Sequence, residues 1–254
     1  MSDDSFGRKV FFIYPPSVIQ DSLISRLLSE EYEVYMLRDL TLAERCLKLY
    51  PNSICFINID AGLALSEWEE WIKKTIAGEG TKGVGIGILS YNSDEALQKK
   101  YLMDIGIQCG FIKLKLGLEE STRILLATLK ANEARGRRKY VRASCEHDVL
   151  SGLNLREGPI QATGNIHDIS VVGFSCVLDP DPQFKKNSIL HDVQLKLRAT
   201  LIRTQAVVFG SREEDGRTVY VMLFPQLDAI GREKIRGYIQ YALQSEIEIQ
   251  ANGA

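Results

Sequence analysis

Near its middle this chain changes hydrophobic rhythm, and that change limits the folds open to it. Up to about residue 134, short apolar runs alternate with longer amphipathic stretches. The runs at 9–14, 32–37, 53–60, 83–90 and 109–115 are strand-length and nearly continuous in apolar character, the pattern of strands buried on both faces. The intervening stretches have helical spacing. Ile19, Leu23, Ile24, Leu27 and Leu28 share one face of the first. Trp68 and Trp71 stand side by side on the third. The fifth and longest covers 118–134. Five βα units in succession predict a doubly wound, five-stranded parallel sheet with helices on both faces.

Beyond Arg142 the rhythm changes to strand and turn. β-type runs at 159–166, 171–178, 193–209 and 218–224 are separated by turn signals, among them Asp179-Pro-Asp-Pro182, Lys186-Asn187 and the hairpin dipeptide Asp215-Gly216. No long amphipathic stretch interrupts them until one after Pro225, where Leu227, Ile230, Ile235, Tyr238, Ile239 and Ala242 form an apolar stripe. This half predicts an all-β, antiparallel barrel with a C-terminal helix. The expected domains are therefore 1–134 and 135–254, the second including an arginine-rich junction.

Composition narrows the function. With 45% hydrophobic and 25% charged residues, each half has enough apolar material for its own core. The formal net charge of -2 removes the global basic character of a nucleic-acid binder, so no DNA or RNA partner is expected and any basic site must be local. Cys46, Cys55, Cys109, Cys145 and Cys176 are odd in number and far apart, which argues against disulfides and a zinc site. His147, His167 and His191 are scattered, so no metal is expected. The start has no signal-peptide pattern and no run is long enough to span a bilayer, which predicts a cytoplasmic chain without membrane insertion. G-x-S-x-G, H-E-x-x-H and P-loop motifs are absent, and the Gly83-x-Gly-x-Gly run lies within a strand rather than before a helix, so no enzyme is expected.

Two short motifs remain. Arg138-Lys-Tyr-Val-Arg142 is an R-x-x-x-R, preceded by Arg135 and Arg137, which puts five cations within eight residues. Asp168-Ile-Ser-Val-Val-Gly173 is a D-x-S-x-x-G, 26 residues beyond Arg142. Guanidinium groups fork onto phosphates and lie flat on purines. A carboxylate accepts both donors of guanine's Watson–Crick edge, which adenine does not offer. Ser170 adds a small hydroxyl, and Gly173 permits close backbone approach or positive φ. The set suits an anionic guanine nucleotide. Each motif alone is weak, since basic junctions are commonly solvated hinges and acid-serine-glycine runs commonly end strands.

In combination, and with the C-terminal helix, residues 136–245 resemble the PilZ family. The resemblance implies a receptor for cyclic di-GMP. It implies ligand contacts from Arg138 and Arg142 in the first motif and from Asp168, Ser170 and Gly173 in the second, with Arg137 as a further phosphate contact. It also implies signalling to a downstream protein, with no cofactor. The alternative is an interaction scaffold whose barrel docks a protein without nucleotide. The N-terminal half resembles a response-regulator receiver domain that lacks its chemistry. Asp60 ends the third strand where the phospho-acceptor belongs, but the acidic pair after the first strand is replaced by Tyr14-Pro15-Pro16. Without that pair a divalent ion lacks its ligands, so the half is expected to serve contacts as a pseudo-receiver.

Overall fold

The computed structural model describes residues 7–17 and 23–253. Ile19, expected on the first helical face, lies outside the described residues. The chain divides into two compact units: residues 1–139 together with 244–254, and residues 140–243. Compared with the sequence-based division, the boundary falls a few residues later, and the last eleven residues group with the N-terminal unit.

The first unit holds five parallel strands, β1 (Val10–Ile13), β2 (Val34–Leu37), β3 (Ile54–Asn58), β4 (Gly85–Ser90) and β5 (Phe111–Lys113), in the order β2-β1-β3-β4-β5. Every residue of β1, β3 and β4 is buried, as expected of strands covered on both faces. The covering helices are α1 (Ile24–Ser29), α2 (Leu40–Leu49), α3 (Leu65–Ala77), α4 (Glu95–Lys99, continued as a π turn to Ile105) and α5 (Leu118–Ala131). Asp39 caps α2 by accepting from the Leu42 amide at 2.6 Å. Trp68 and Trp71 meet edge to face at 5.8 Å, both buried. The glycines of β4 have a packing cause. A Cβ at Gly87 would lie 2.6 Å from the Phe56 ring, and one at Gly85 would lie 2.7 Å from the Cys109 sulfur. The sheet surface there must be flat for its neighbours to close in.

The second unit holds seven antiparallel strands: β6 (Ala143–Ser144), β7 (Ser151–Glu157), β8 (Ile160–Ser170), β9 (Gly173–Asp179), β10 (Ile189–Leu197), β11 (Thr200–Glu214) and β12 (Arg217–Leu223). Their order is β6-β8-β7-β10-β11-β12-β9, and β8 also pairs with β9, so six strands close into a ring with no free edge among them. Leu153, Leu155, Val193, Leu195 and Met222 point into the core, while Asn154, Arg156 and Lys196 alternate outward. Asp215 (φ 51°) and Gly216 (φ 74°) turn β11 into β12, the two positive φ values that a two-residue hairpin of this kind requires.

The continuous β-type run at 193–209 is in fact two strands. Arg198, at φ 58°, makes a tight turn where no Gly, Pro or Asn signals one. The strand Ser151–Glu157, absent from the runs expected from sequence, alternates buried Leu153 and Leu155 with exposed Asn154 and Arg156. The last helix, α6 (Ala229–Gly253), buries Ile235, Tyr238 and Ile239 as expected and extends the stripe through Leu243, Ile247 and Ala251, but Ile230 is 65% exposed. In the first unit, Gln244 donates to the Met36 carbonyl at 2.8 Å and accepts from the Met36 amide at 3.0 Å. Its carboxamide thereby satisfies both backbone groups of Met36 on β2, the edge strand.

Candidate functional site

The two motifs meet through strand pairing. β8 is long enough to pair along one side with β7 at its start and with β6 at its end. β6 sets Ala143 against Ile169 and Ser144 against Asp168. Because side chains alternate along β6, the buried Ala143 and exposed Ser144 leave Arg142 just outside the ring. Arg142 Nη1 lies 3.6 Å from Asp168 Oδ1, with the two side chains 51% and 34% exposed. A screened pair of this kind contributes under about 1 kcal/mol, so Arg142 is held near Asp168 without being locked to it.

Asp168 reaches the outer face because of a β-bulge. The register against β9 shifts between Ile166, opposite Cys176, and Asp168, opposite Ser175, leaving His167 as the extra residue. The His167 carbonyl accepts from the Cys145 amide at 2.7 Å, which pins the bulge to the segment after β6. Asp168 Oδ2 accepts from the Ser175 hydroxyl. Ser175 is 3% exposed and is the site residue that sequence reasoning missed. Its signal was available: Phe174, Cys176 and Leu178 are the apolar alternates of β9, so Ser175 must face the other way, beside the motif. A carboxylate has about four lone-pair sites, so Asp168 keeps acceptor capacity after Ser175 takes one.

Ser170 and Gly173 lie on the turn that follows. Ser170 is buried, and its hydroxyl donates to the Gly173 carbonyl at 3.1 Å while the Val172 amide approaches it at 3.4 Å. Gly173 lacks the positive φ allowed for in the sequence reading. A Cβ there would lie 2.2 Å from the Met222 carbonyl and 3.1 Å from Leu223 Cα, so this position needs glycine for the close pairing of β9 with β12. Ser170 is thus committed to the geometry of the turn, and Gly173 to the strand pairing beside it.

The five junction cations do not act as one group. Arg135 pairs with Glu30 at 3.0 Å and lies over the Tyr32 ring at 4.9 Å, within the first unit. Arg137 and Arg138 are exposed and fall on that side of the division, whereas Arg142, Asp168, Ser170 and Gly173 belong to the second unit.

At the receiver-like end of the first sheet, Asp60 accepts from Ser90 Oγ at 2.7 Å and from the Tyr91 amide at 2.6 Å. The Tyr14 carbonyl, on a residue at φ 49°, accepts from Asn58 Nδ2 at 2.9 Å, and the Tyr14 ring fills the space a side chain at position 62 would need. Among the described residues, no three His, Cys, Asp or Glu side chains gather as metal ligands, and no helix is long and apolar enough to cross a membrane.

The second unit is thus a small closed antiparallel barrel with a cation–carboxylate pair at the end of one long strand. Residues 136–241 match the family model of the PilZ domain. The match indicates no catalytic family. Solved structures with a similar region include the PilZ domain of YcgR from Escherichia coli with c-di-GMP (14% identity, 46% of this chain and 99% of that one, TM-score 0.40). They also include the Bacillus subtilis inhibitor of motility MotI/DgrA (22%, 46% and 53%, TM-score 0.33) and the K. pneumonia MrkH–c-di-GMP complex (18%, 46% and 57%, TM-score 0.38). The similar region spans little more than half of the last two proteins. No curated protein matches the sequence.

Proposed function

We propose that the chain is a cyclic di-GMP receptor that passes the signal to a protein partner. The observation that carries this reading is the convergence of Arg142 and Asp168, from motifs 26 residues apart, on the outer face of a PilZ barrel. Asp168 accepts the two donors of a guanine edge, while Arg142 and Arg138 take the phosphates and stack on the base. Arg137 adds a phosphate contact. Ser170 serves the site by holding the turn behind Asp168, and Gly173 by letting β12 pair closely with β9 beside it. The roles of Asp168 and the three arginines are ones of binding, in keeping with a sensor.

Signalling follows from where the arginines lie. The segment 134–142 has no regular structure and joins the two compact units. Ligand engaging arginines on this segment and Asp168 on the barrel orders the segment, at about 1–2 kcal/mol per residue fixed, offset by charge-assisted contacts to two phosphates. The N-terminal unit then acts as a pseudo-receiver, a contact surface whose arrangement the ligand sets.

The test is calorimetric titration of the full chain with cyclic di-GMP and with cyclic di-AMP. Saturable binding of the first and far weaker binding of the second is expected. Equal affinity for both ligands removes Asp168 as the base reader. No heat and no competition with either ligand removes the receptor reading, leaving a docking barrel.

A further inference from the structure

We infer that the barrel carries a second base reader, Asn165, and that its carboxamide admits adenine as well as guanine at that position. The inference rests on the receptor reading above and specifies its base selectivity.

The bulge at His167 makes the geometry possible. Residues 165 and 168 are an odd number of positions apart, so on a regular strand they would face opposite ways. The extra residue restores them to one face. Asn165 is exposed opposite Val177, and Asp168 stands opposite Ser175, with Ile166 buried between them. On β9 these two rows are two residues apart, about 6.6 Å at the strand rise. Stacked bases lie about 3.4 Å apart. Two bases read from these rows therefore lie parallel with one planar layer between them, a guanidinium or another base.

Asn165 also lines an open groove of about 710 Å³ on the barrel, shared with Asn154, Thr163, Asp179, Lys196 and Arg217. The groove begins one row from Asp168. Its size suits a nucleotide-scale ligand, and Lys196 and Arg217 bring cations to it, beside the carboxylates of Asp179 and Asp181.

The two readers differ in chemistry. Asp168 is acceptor-only, so it takes the N1–H and amino donors of guanine and rejects adenine, whose N1 is an acceptor. Asn165 offers one acceptor and one donor. Its oxygen accepts from guanine N1–H while its nitrogen donates to O6. The same pair serves the adenine amino group and a ring nitrogen, the usual match of asparagine to adenine. The site is therefore strict at one base and permissive at the other.

The experiment titrates the full chain with cyclic di-GMP, cyclic di-AMP and the mixed cyclic dinucleotide carrying one guanine and one adenine. The mixed ligand is expected to bind within about tenfold of cyclic di-GMP, part of the gap being the twofold statistical advantage of the symmetric ligand. Cyclic di-AMP should bind at least about a hundredfold more weakly than either. Asn165→Asp makes the second reader acceptor-only. The added charge weakens all three ligands, but the preference for cyclic di-GMP over the mixed ligand should rise about tenfold or more. Rejection of the mixed ligand by a hundredfold in the unsubstituted chain overturns the inference while leaving the receptor reading intact. So does a preference unchanged by Asn165→Asp. Failure of every cyclic dinucleotide to bind overturns the receptor reading itself.

Discussion

Under the proposed receptor reading, replacing Arg142 by alanine should separate binding from stability. Its acidic partner, Asp168, lies at 3.6 Å, and both side chains are substantially solvated. Removing such a pair costs under about 1 kcal/mol. For a chain of this size that lowers Tm by no more than about 2–4 °C. The strand pairing that places Arg142 depends on the backbone of Ala143 and Ser144, which the substitution leaves in place. Binding is a different matter. Loss of a charge-assisted contact to a phosphate costs about 1.5–3 kcal/mol, roughly a 10- to 100-fold rise in Kd. Arg142→Lys should weaken binding too, since an ammonium neither forks nor stacks. The measurements are calorimetric titration with cyclic di-GMP and thermal unfolding of the same samples. An unchanged Kd with Arg142→Ala would refute the assignment. A large fall in Tm would refute the claim that the pair is only a screened surface contact.

Other expectations follow from packing and burial. Gly173→Ala should destabilise the barrel by about 1–3 kcal/mol, read by denaturant unfolding, because its Cβ would meet the Met222 carbonyl at 2.2 Å; wild-type stability would contradict the packing account of this glycine. Acetyl phosphate with magnesium should leave Asp60 unlabelled in intact-mass measurement, since its carboxylate is taken up by Ser90 and Tyr91; stoichiometric labelling would restore a working receiver. The five cysteines are buried, and burial pushes Cys46, Cys109 and Cys145 up to about 11. They should resist thiol reagents in the native state at pH 8. A thiol whose folded pKa is raised contributes stability that is complete below its unfolded value, about 8.5, and is lost as pH rises toward the folded one. Stability should therefore decline between about pH 8.5 and 11, and flat unfolding midpoints across that window would exclude the thiols as a source of alkaline sensitivity.

Both architectures are legible in residue order, because each rests on local periodicity. Continuous apolar runs such as 54–58 leave no solvent face, and alternation such as Leu153-Asn-Leu-Arg156 leaves one, so burial on two sides or one is written into the chain. The Asp215-Gly216 turn is legible for the same reason, since its positive φ values are a property of two residues. The arginine and acid-serine-glycine motifs are legible as residue types.

Their roles come from tertiary contacts. Arg142 meets Asp168 only because β6 adds to the far end of β8, a pairing between distant segments that no local propensity encodes. Arg135 leaves the basic cluster because Glu30 and Tyr32, more than a hundred positions away, offer it a partner and a ring. Gly173 is a glycine because of the Met222 carbonyl on a neighbouring strand, not because of its own turn. The bulge at His167 has no compositional mark, yet it decides which face Asp168 occupies, since one inserted residue reverses every side chain beyond it. Periodicity is a short-range property and survives in one dimension. Which cation reaches which carboxylate depends on strand register, which is set only when the ring closes.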